Sequence, residues 1–300
     1  MAVSGGPDSL ALVAFSKAYS YYKKSKFFYV LVDHKIRKNS YLEANRVKNF
    51  LKKRQLNLKI ISNKKKIEKN IQGEARNIRY KILTDFCLNN KVKNLLTAHN
   101  LEDQVETFFI RLSRGSGLKG LSSMSFKSKL SNKIDLYRPF LDIEKKYLIK
   151  ISNKVFGNYI KDPSNKNLKF LRTKVRGLKK PLEKSGIQYN QIFKSIQNLS
   201  KSKASLEIFF KEIFSEIIRK KNREIFINFE KFNNHNNEIK MAIINEAIKL
   251  LKKNYYDQRA KKVSNLIKVI SNSKNFKKST LSGCVFYKKG EYLCLKNEKS

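Results

Sequence analysis

The stretch that most constrains this chain is its first nine residues, Met1-Ala-Val-Ser-Gly-Gly-Pro-Asp-Ser9. The apolar Met1–Val3 reads as a short buried strand. Ser4-Gly5-Gly6 cannot continue it, because paired glycines favour a tight turn in the left-handed region. Pro7 has a fixed φ and no N–H, which suits the first turn of a helix. Leu10, Leu12, Val13, Phe15, Ala18, Tyr19 and Tyr22 then recur at helical spacing. A strand, a glycine turn and a helix N-terminus in succession present free N–H groups and a positive dipole end to an anion. Ser4 and Ser9 add hydroxyl donors for phosphate oxygens. Asp8 would repel a phosphate unless a cation bridged the two, which marks it as a Mg²⁺ contact. The string lacks the Gly-Lys-Ser/Thr of a Walker loop and the glycine spacing of a dinucleotide fingerprint.

Beyond this turn, strands and helices alternate. Residues 27–33, 56–62 and 94–99 read as strands. Helices are expected from a capping box at Ser40 and Glu43, over residues 73–88, and over residues 101–113. This alternation predicts an α/β fold, a parallel sheet with helices on both faces. Ligands of such sheets lie beyond the carboxyl ends of the strands, where Ser4, Asp33, His34 and His99 fall. Asp33 and His34 either flank a nucleotide or form an ordinary loop pair. Arg76 and Arg79 share a helix face and suit bidentate recognition of a phosphate or carboxylate. His99, Asp103 and Glu106 describe an acidic pocket for a cation, either Mg²⁺ or an amine. Their spacing is not that of a zinc site. The glycine-rich run 111–121 is either a helix cap with a turn or a contact for a phosphate backbone. Residues 134–137 read as a further strand, and Asp142 as the cap of a helix reaching about residue 156.

Composition bounds the partner. The formal charge is +42 in 300 residues, and such a chain binds polyanions with steep salt dependence. Lys, Asn and Ile are abundant throughout, so part of that excess reflects composition rather than a binding surface. Cys87, Cys284 and Cys294 are far apart and form no CxxC pair, which points to neither disulfides nor a metal cluster. No apolar run is long enough to cross a membrane, and a cytoplasmic location is expected. The texture changes after Pro181. A long helix is expected over residues 188–220, a strand over 224–229, helices over 238–252 and 258–271, and a hairpin over 277–296 turning at Lys289-Gly290. The chain therefore divides into residues 1–185 and 186–300, the second being a helical linker with a small α+β domain.

Several motifs together carry a resemblance. They are Ser4–Ser9; Val32-Asp33-His34 with Arg37, Ser40 and Glu43-Ala44; Glu74-Ala75-Arg76 with Arg79-Tyr80; Thr97-Ala98-His99 with Asp103-Gln104 and Glu106-Thr107; Arg114–Gly117 with Gly120-Leu121; Arg138-Pro139; and Asp162–Asn165 with Phe170–Arg172 and Arg176. The opening string is similar to the pyrophosphate loop of the N-type ATP pyrophosphatases. Over about the first 180 residues the whole set resembles the tRNA(Ile)-lysidine synthetases. The tail Thr280–Cys284 resembles the end of that family's first C-terminal domain. A further C-terminal domain, common in the family, has no counterpart, so a short form is expected. Asn100, Glu102, Lys35 and Thr173 depart from the pattern, standing for a histidine, an aspartate, a glycine and an asparagine.

The resemblance implies an activity. ATP adenylates the C2 oxygen of the wobble cytidine in a CAU-anticodon tRNA(Ile), releasing pyrophosphate, and the ε-amine of free L-lysine displaces AMP. It assigns Ser4, Gly5, Gly6, Pro7, Asp8, Ser9, Asp33 and His34 to ATP, and Mg²⁺ to Asp8. Asp8, His99 and Asp103 are assigned to catalysis, with the base either His99 or a nearby acid. It assigns Arg79, Asp103 and Glu106 to lysine, and Arg114, Lys119, Arg172, Lys174 and Arg176 to tRNA, with the small C-terminal domain also binding tRNA. A homodimer stays open. The rival readings are a tRNA thiolase with the same loop and an inactive tRNA-binding homologue.

Overall fold

The computed structural model describes residues 1–36, 39–65, 67, 71–160, 170–252, 260–272 and 276–298. Arg37 and the Asp162–Asn165 motif lie outside these. Two compact units divide within one helix, as residues 1–201 and 202–300. The sequence texture changes earlier, near Pro181. The division falls later because Tyr189, Ile192 and Ile196 pack on Leu101 and Val105 of the first unit.

In the first unit, α1 (Pro7–Lys23) follows the opening segment directly. Strands β1 (Tyr29–Asp33) and β2 (Leu58–Ser62) pair in parallel, joined by α2 (Ser40–Lys52). Helix α3 (Ile71–Asn89) leads to β3 (Asn94–Leu96), which pairs in parallel with β5 (Ile134–Tyr137). Strand β4 (Lys127–Ser131), unforeseen from the sequence, adds antiparallel to β5 at the edge. The opening segment joins the two groups. The Val3 amide donates to Val30 O at 2.8 Å, and the Ala2 amide donates to Leu96 O at 3.0 Å. The strand order is therefore β2, β1, residues 1–3, β3, β5, β4.

Alternation along β1 sends Tyr29 and Leu31 to one face and Val30 to the other. The first face packs on α1, α2 and α6 (Lys145–Phe156) through Leu10, Val13, Val47, Leu51 and Leu148. The second packs on α3 through Leu83, Phe86 and Cys87. Helices thus cover both faces, as expected. Two local expectations fail. Ser40 is the first helical residue of α2 rather than its cap, and Asn39 precedes it without a side-chain capping bond. Glu144, not Asp142, stands at the N-cap of α6.

Helix α4 (Leu101–Leu112) follows β3, with the one-turn α5 (Leu118–Leu121) after it. Helices α7 (Leu171–Gly177), α8 (Lys179–Lys184) and the start of α9 (Tyr189–Ile217) complete this unit. The second unit holds a five-stranded antiparallel sheet ordered β6 (Ile218–Lys221), β7 (Glu224–Asn228), β10 (Tyr292–Asn297), β9 (Cys284–Lys289), β8 (Lys278–Leu281). Helices α10 (Phe229–Asn233), α11 (Asn237–Leu251) and α12 (Ala260–Asn272) bury Phe232, Ile244, Ile248, Val263 and Ile270 with Ile225, Phe286 and Leu293 of the sheet.

Candidate active site

The phosphate loop takes its shape from four residues. Gly5 has φ +84°, open to glycine, and a Cβ there would meet Val47 Cγ2 of α2 at 2.7 Å. Gly6 is the N-cap of α1 and Pro7 its first residue. Ser9 folds the loop back on itself. Its Oγ accepts the amides of Ser4 and Gly5, each at 3.2 Å, and donates to Gly6 O at 3.0 Å. Ser4 Oγ lies 3.2 Å from Ser9 Oγ.

Asp8 opens the helix beside this loop. Its Oδ1 is buried with no hydrogen-bond partner, while Oδ2 lies 3.7 Å from Lys145 Nζ. Burial pushes its carboxyl up to about 6, and the charges of Asp103 and Glu102 add to the rise. A buried carboxylate oxygen without a donor fits a hard cation, so the donor set suits the metal expected at Asp8. Among the described residues no group of three His, Cys, Asp or Glu side chains forms a metal site. A cation at Asp8 would therefore complete its shell from a phosphate and water.

Asp33 is 3% exposed and locally committed. Its Oδ1 accepts the Lys35 amide at 3.0 Å, and its Oδ2 accepts the Ser62 hydroxyl at 3.3 Å. Lys35 is left-handed, with φ +53°, at the position where the sequence departs from glycine. His34 Nε2 accepts from Arg79 Nε at 3.2 Å, which leaves the proton on Nδ1, a buried atom without a partner. Burial and Arg79 hold His34 down at about 4. His99 contacts Thr97 Oγ1 at 2.9 Å. Burial and the charges of Arg138, Arg76, Arg172 and Arg79 hold it at about 3, so it is neutral at physiological pH.

Asp103 begins α4 in a capping box with Asn100, a pair the sequence analysis missed. The Asp103 amide donates to Asn100 Oδ1 at 2.9 Å, and the Asn100 amide donates to Asp103 Oδ2 at 3.1 Å. The Asn-x-x-Asp spacing was its legible signal. Glu102, another departure from the family pattern, ties down neighbouring helices. It accepts the Lys145 amide at 2.9 Å and Lys179 Nζ at 3.1 Å.

Glu106 is 2% exposed and holds two cations. Arg172 Nε donates to its Oε2 at 2.7 Å, and Arg176 Nε to its Oε1 at 2.7 Å. Arg172 also reaches Asp103 Oδ1 at 2.9 Å. Arg172 and Arg176, expected to contact a tRNA backbone, here turn their guanidinium groups onto the acids expected to bind lysine. A bidentate carboxylate outcompetes solvent for a planar fork. Arg114, Lys119 and Lys174, the other residues assigned to tRNA, are exposed.

Residues 1–181 match the PP-loop domain family. The chain is 33% identical over 306 residues to the tRNA(Ile)-lysidine synthase of Wolbachia pipientis wMel, covering 100% of this chain and 70% of that protein. It is 32% identical to the enzyme of the same name from Rickettsia typhi, covering 95% of this chain and 66% of that one. The U34-tRNA thiolase NcsA of Methanococcus maripaludis shares the fold, with a TM-score of 0.57 and 20% identity over 67% of this chain and 70% of the thiolase. No described helix is long and apolar enough to cross a membrane. The phosphate loop, its family match and identity along the full chain place this protein among the PP-loop, ATP-using ligases of the tRNA(Ile)-lysidine synthase family.

Proposed function

We propose that this chain joins L-lysine to C2 of the wobble cytidine in CAU-anticodon tRNA(Ile), through an adenylated cytidine, releasing pyrophosphate and AMP. One observation carries the reading: an anion-binding turn and a cation-holding carboxylate pocket meet at the same sheet end. Asp8, on the turn, feels the charges of Asp103 and Glu102, while Asp103 and Glu106 already hold guanidinium groups.

In the first step the loop amides and the helix dipole orient the phosphates for attack by the cytidine oxygen at the α-phosphorus. Asp8 would hold Mg²⁺, whose charge offsets that building on pyrophosphate. In the second step Asp103 and Glu106 bind the ammonium of lysine, and Arg79 its carboxylate. For this the α7 arginines must release part of their hold. His99, held near 3, acts as a neutral hydrogen-bonding group, because so weak a base accepts an amine proton poorly. A thiolase reading asks for cysteines at this site. The first unit's one cysteine, Cys87, is packed under the sheet with Leu83 and Leu95.

The test is incubation with labelled lysine, Mg·ATP and a tRNA(Ile) transcript, with elongator tRNA(Met) as control. Label confined to the isoleucine tRNA, and lost in Asp8→Ala and Asp103→Ala, supports the reading. Tight tRNA binding without label overturns it.

A further inference from the structure

Neither the phosphate loop nor the acidic pocket uses three arginines gathered beyond His99. Arg76 stands on α3, Arg111 near the end of α4, and Arg138 directly after β5. The Arg76 guanidinium carbon lies 5.0 Å from the Tyr80 ring centroid, and its charge acts on both Arg111 and Arg138. Arg111 and Arg138 grip one and the same segment. Arg111 Nη1 donates to Gly120 O at 2.6 Å and Ser123 O at 3.0 Å, and Arg138 Nη1 donates to Ser125 O at 2.7 Å and Ser128 Oγ at 3.1 Å.

What these arginines lack is an anion. Among the described residues no carboxylate pairs with any of the three, in contrast to Arg172 and Arg176. Arg138 is 7% exposed, and its Nε is buried with no partner. Gathering three cations around a buried one without a counter-charge is unfavourable. Burial and Arg76 pull Arg111 below its ordinary range, and burial, Arg76 and Arg111 act the same way on Arg138.

Position selects the anion. Strand β5 is the second strand from the opening segment, so Arg138 starts about 10 Å from the phosphate loop at ordinary strand spacing. It lies on the side away from Asp33 and His34. The gripped segment runs on into the loop carrying exposed Arg114 and Lys119. An anion site continuous with an exposed basic loop suits a polyanion rather than a free carboxylate or the phosphates of ATP. We infer that Arg76, Arg111 and Arg138 form a second anion site, which takes a backbone phosphodiester of the tRNA next to the cytidine being modified. The inference rests on the function proposed above.

The test uses the full chain and an anticodon stem-loop RNA, with binding measured across a salt series. Arg76→Gln alters an exposed side chain and leaves the grip of Arg111 and Arg138 in place. It should weaken RNA binding about tenfold and lower the slope of log K against log salt by about one, with the Kd for Mg·ATP and the KM for lysine unchanged. A neutral methylphosphonate at one linkage beside the target cytidine should reproduce that loss in the wild type and add nothing to it in Arg76→Gln. An unchanged salt slope, losses that add at every linkage, or a shift in ATP or lysine affinity instead would overturn the inference. Lysidine formation by the wild type is scored alongside. If it proceeds while the slope stays intact, the inference falls and the functional reading stands. If the wild type neither modifies nor binds tRNA, both fall.

Discussion

Arg172 Nε and Glu106 Oε2 meet at 2.7 Å, although Glu106 is 2% exposed and Arg172 a third exposed. One buried carboxylate thus accepts two guanidinium groups, since Arg176 takes its other oxygen. Breaking such a pair from the carboxylate side removes the buried charge that both cations share. Glu106→Gln should destabilise the 1–201 unit by about 3 kcal/mol and lower its melting temperature by roughly 10 °C. Calorimetry checks this, with Glu106→Asp expected to retain part of the loss.

Asp8 gives a pH dependence whose sign follows from burial. Its carboxyl is raised from 3.8 to about 6 in the folded chain, so the folded state binds the proton more tightly than the unfolded state. The stability it contributes is full below pH 3.8 and is lost as pH rises to about 6. Asp8→Asn should therefore stabilise the metal-free protein at pH 7, by on the order of 1–3 kcal/mol, while abolishing ATP-dependent release of pyrophosphate. Thermal melts at pH 4 and pH 7 test it: the gain should appear only at the higher pH.

Gly5 tolerates no side chain for two separate reasons, its φ of +84° and the 2.7 Å approach to Val47 Cγ2. Gly5→Ala should cost about 2 kcal/mol and weaken nucleotide binding at least tenfold. Adding Val47→Ala removes the clash but not the backbone strain. The double variant should therefore bind nucleotide better than Gly5→Ala and worse than Val47→Ala, as measured by calorimetric titration with Mg·ATP.

Lys35 holds a left-handed backbone, with φ +53°, between His34 and the stretch that leads to α2. Lys35→Gly relieves that strain and should raise stability by up to about 1 kcal/mol, the remainder being offset by the looser unfolded chain. An unchanged or lowered denaturation midpoint would count against the strain.

Much of this was legible in the residues themselves. Period and glycine placement located α1, α4 and the parallel strands, because those signals are local. Strand β4 was illegible, since Lys127–Ser131 carries two lysines and no apolar run and becomes a strand only by pairing with β5. The pairing of Arg172 with Glu106, 66 residues apart, was equally hidden. A basic helix reads as solvated or as RNA-facing until folding brings a buried acid to it. The roles of Asn100 and Glu102 looked like departures from a pattern, and only their partners reveal them as a helix cap and a tie between helices.

Asp103 divides its labour between two oxygens. Oδ2 is committed to the cap of α4, and Oδ1 faces the pocket, where it meets Arg172. The pocket can therefore exchange one cation for another without unwinding the helix that presents it. Such insulation makes the site evolvable: selection could retune which cation meets Oδ1 while the atoms that keep α4 folded stay out of the negotiation.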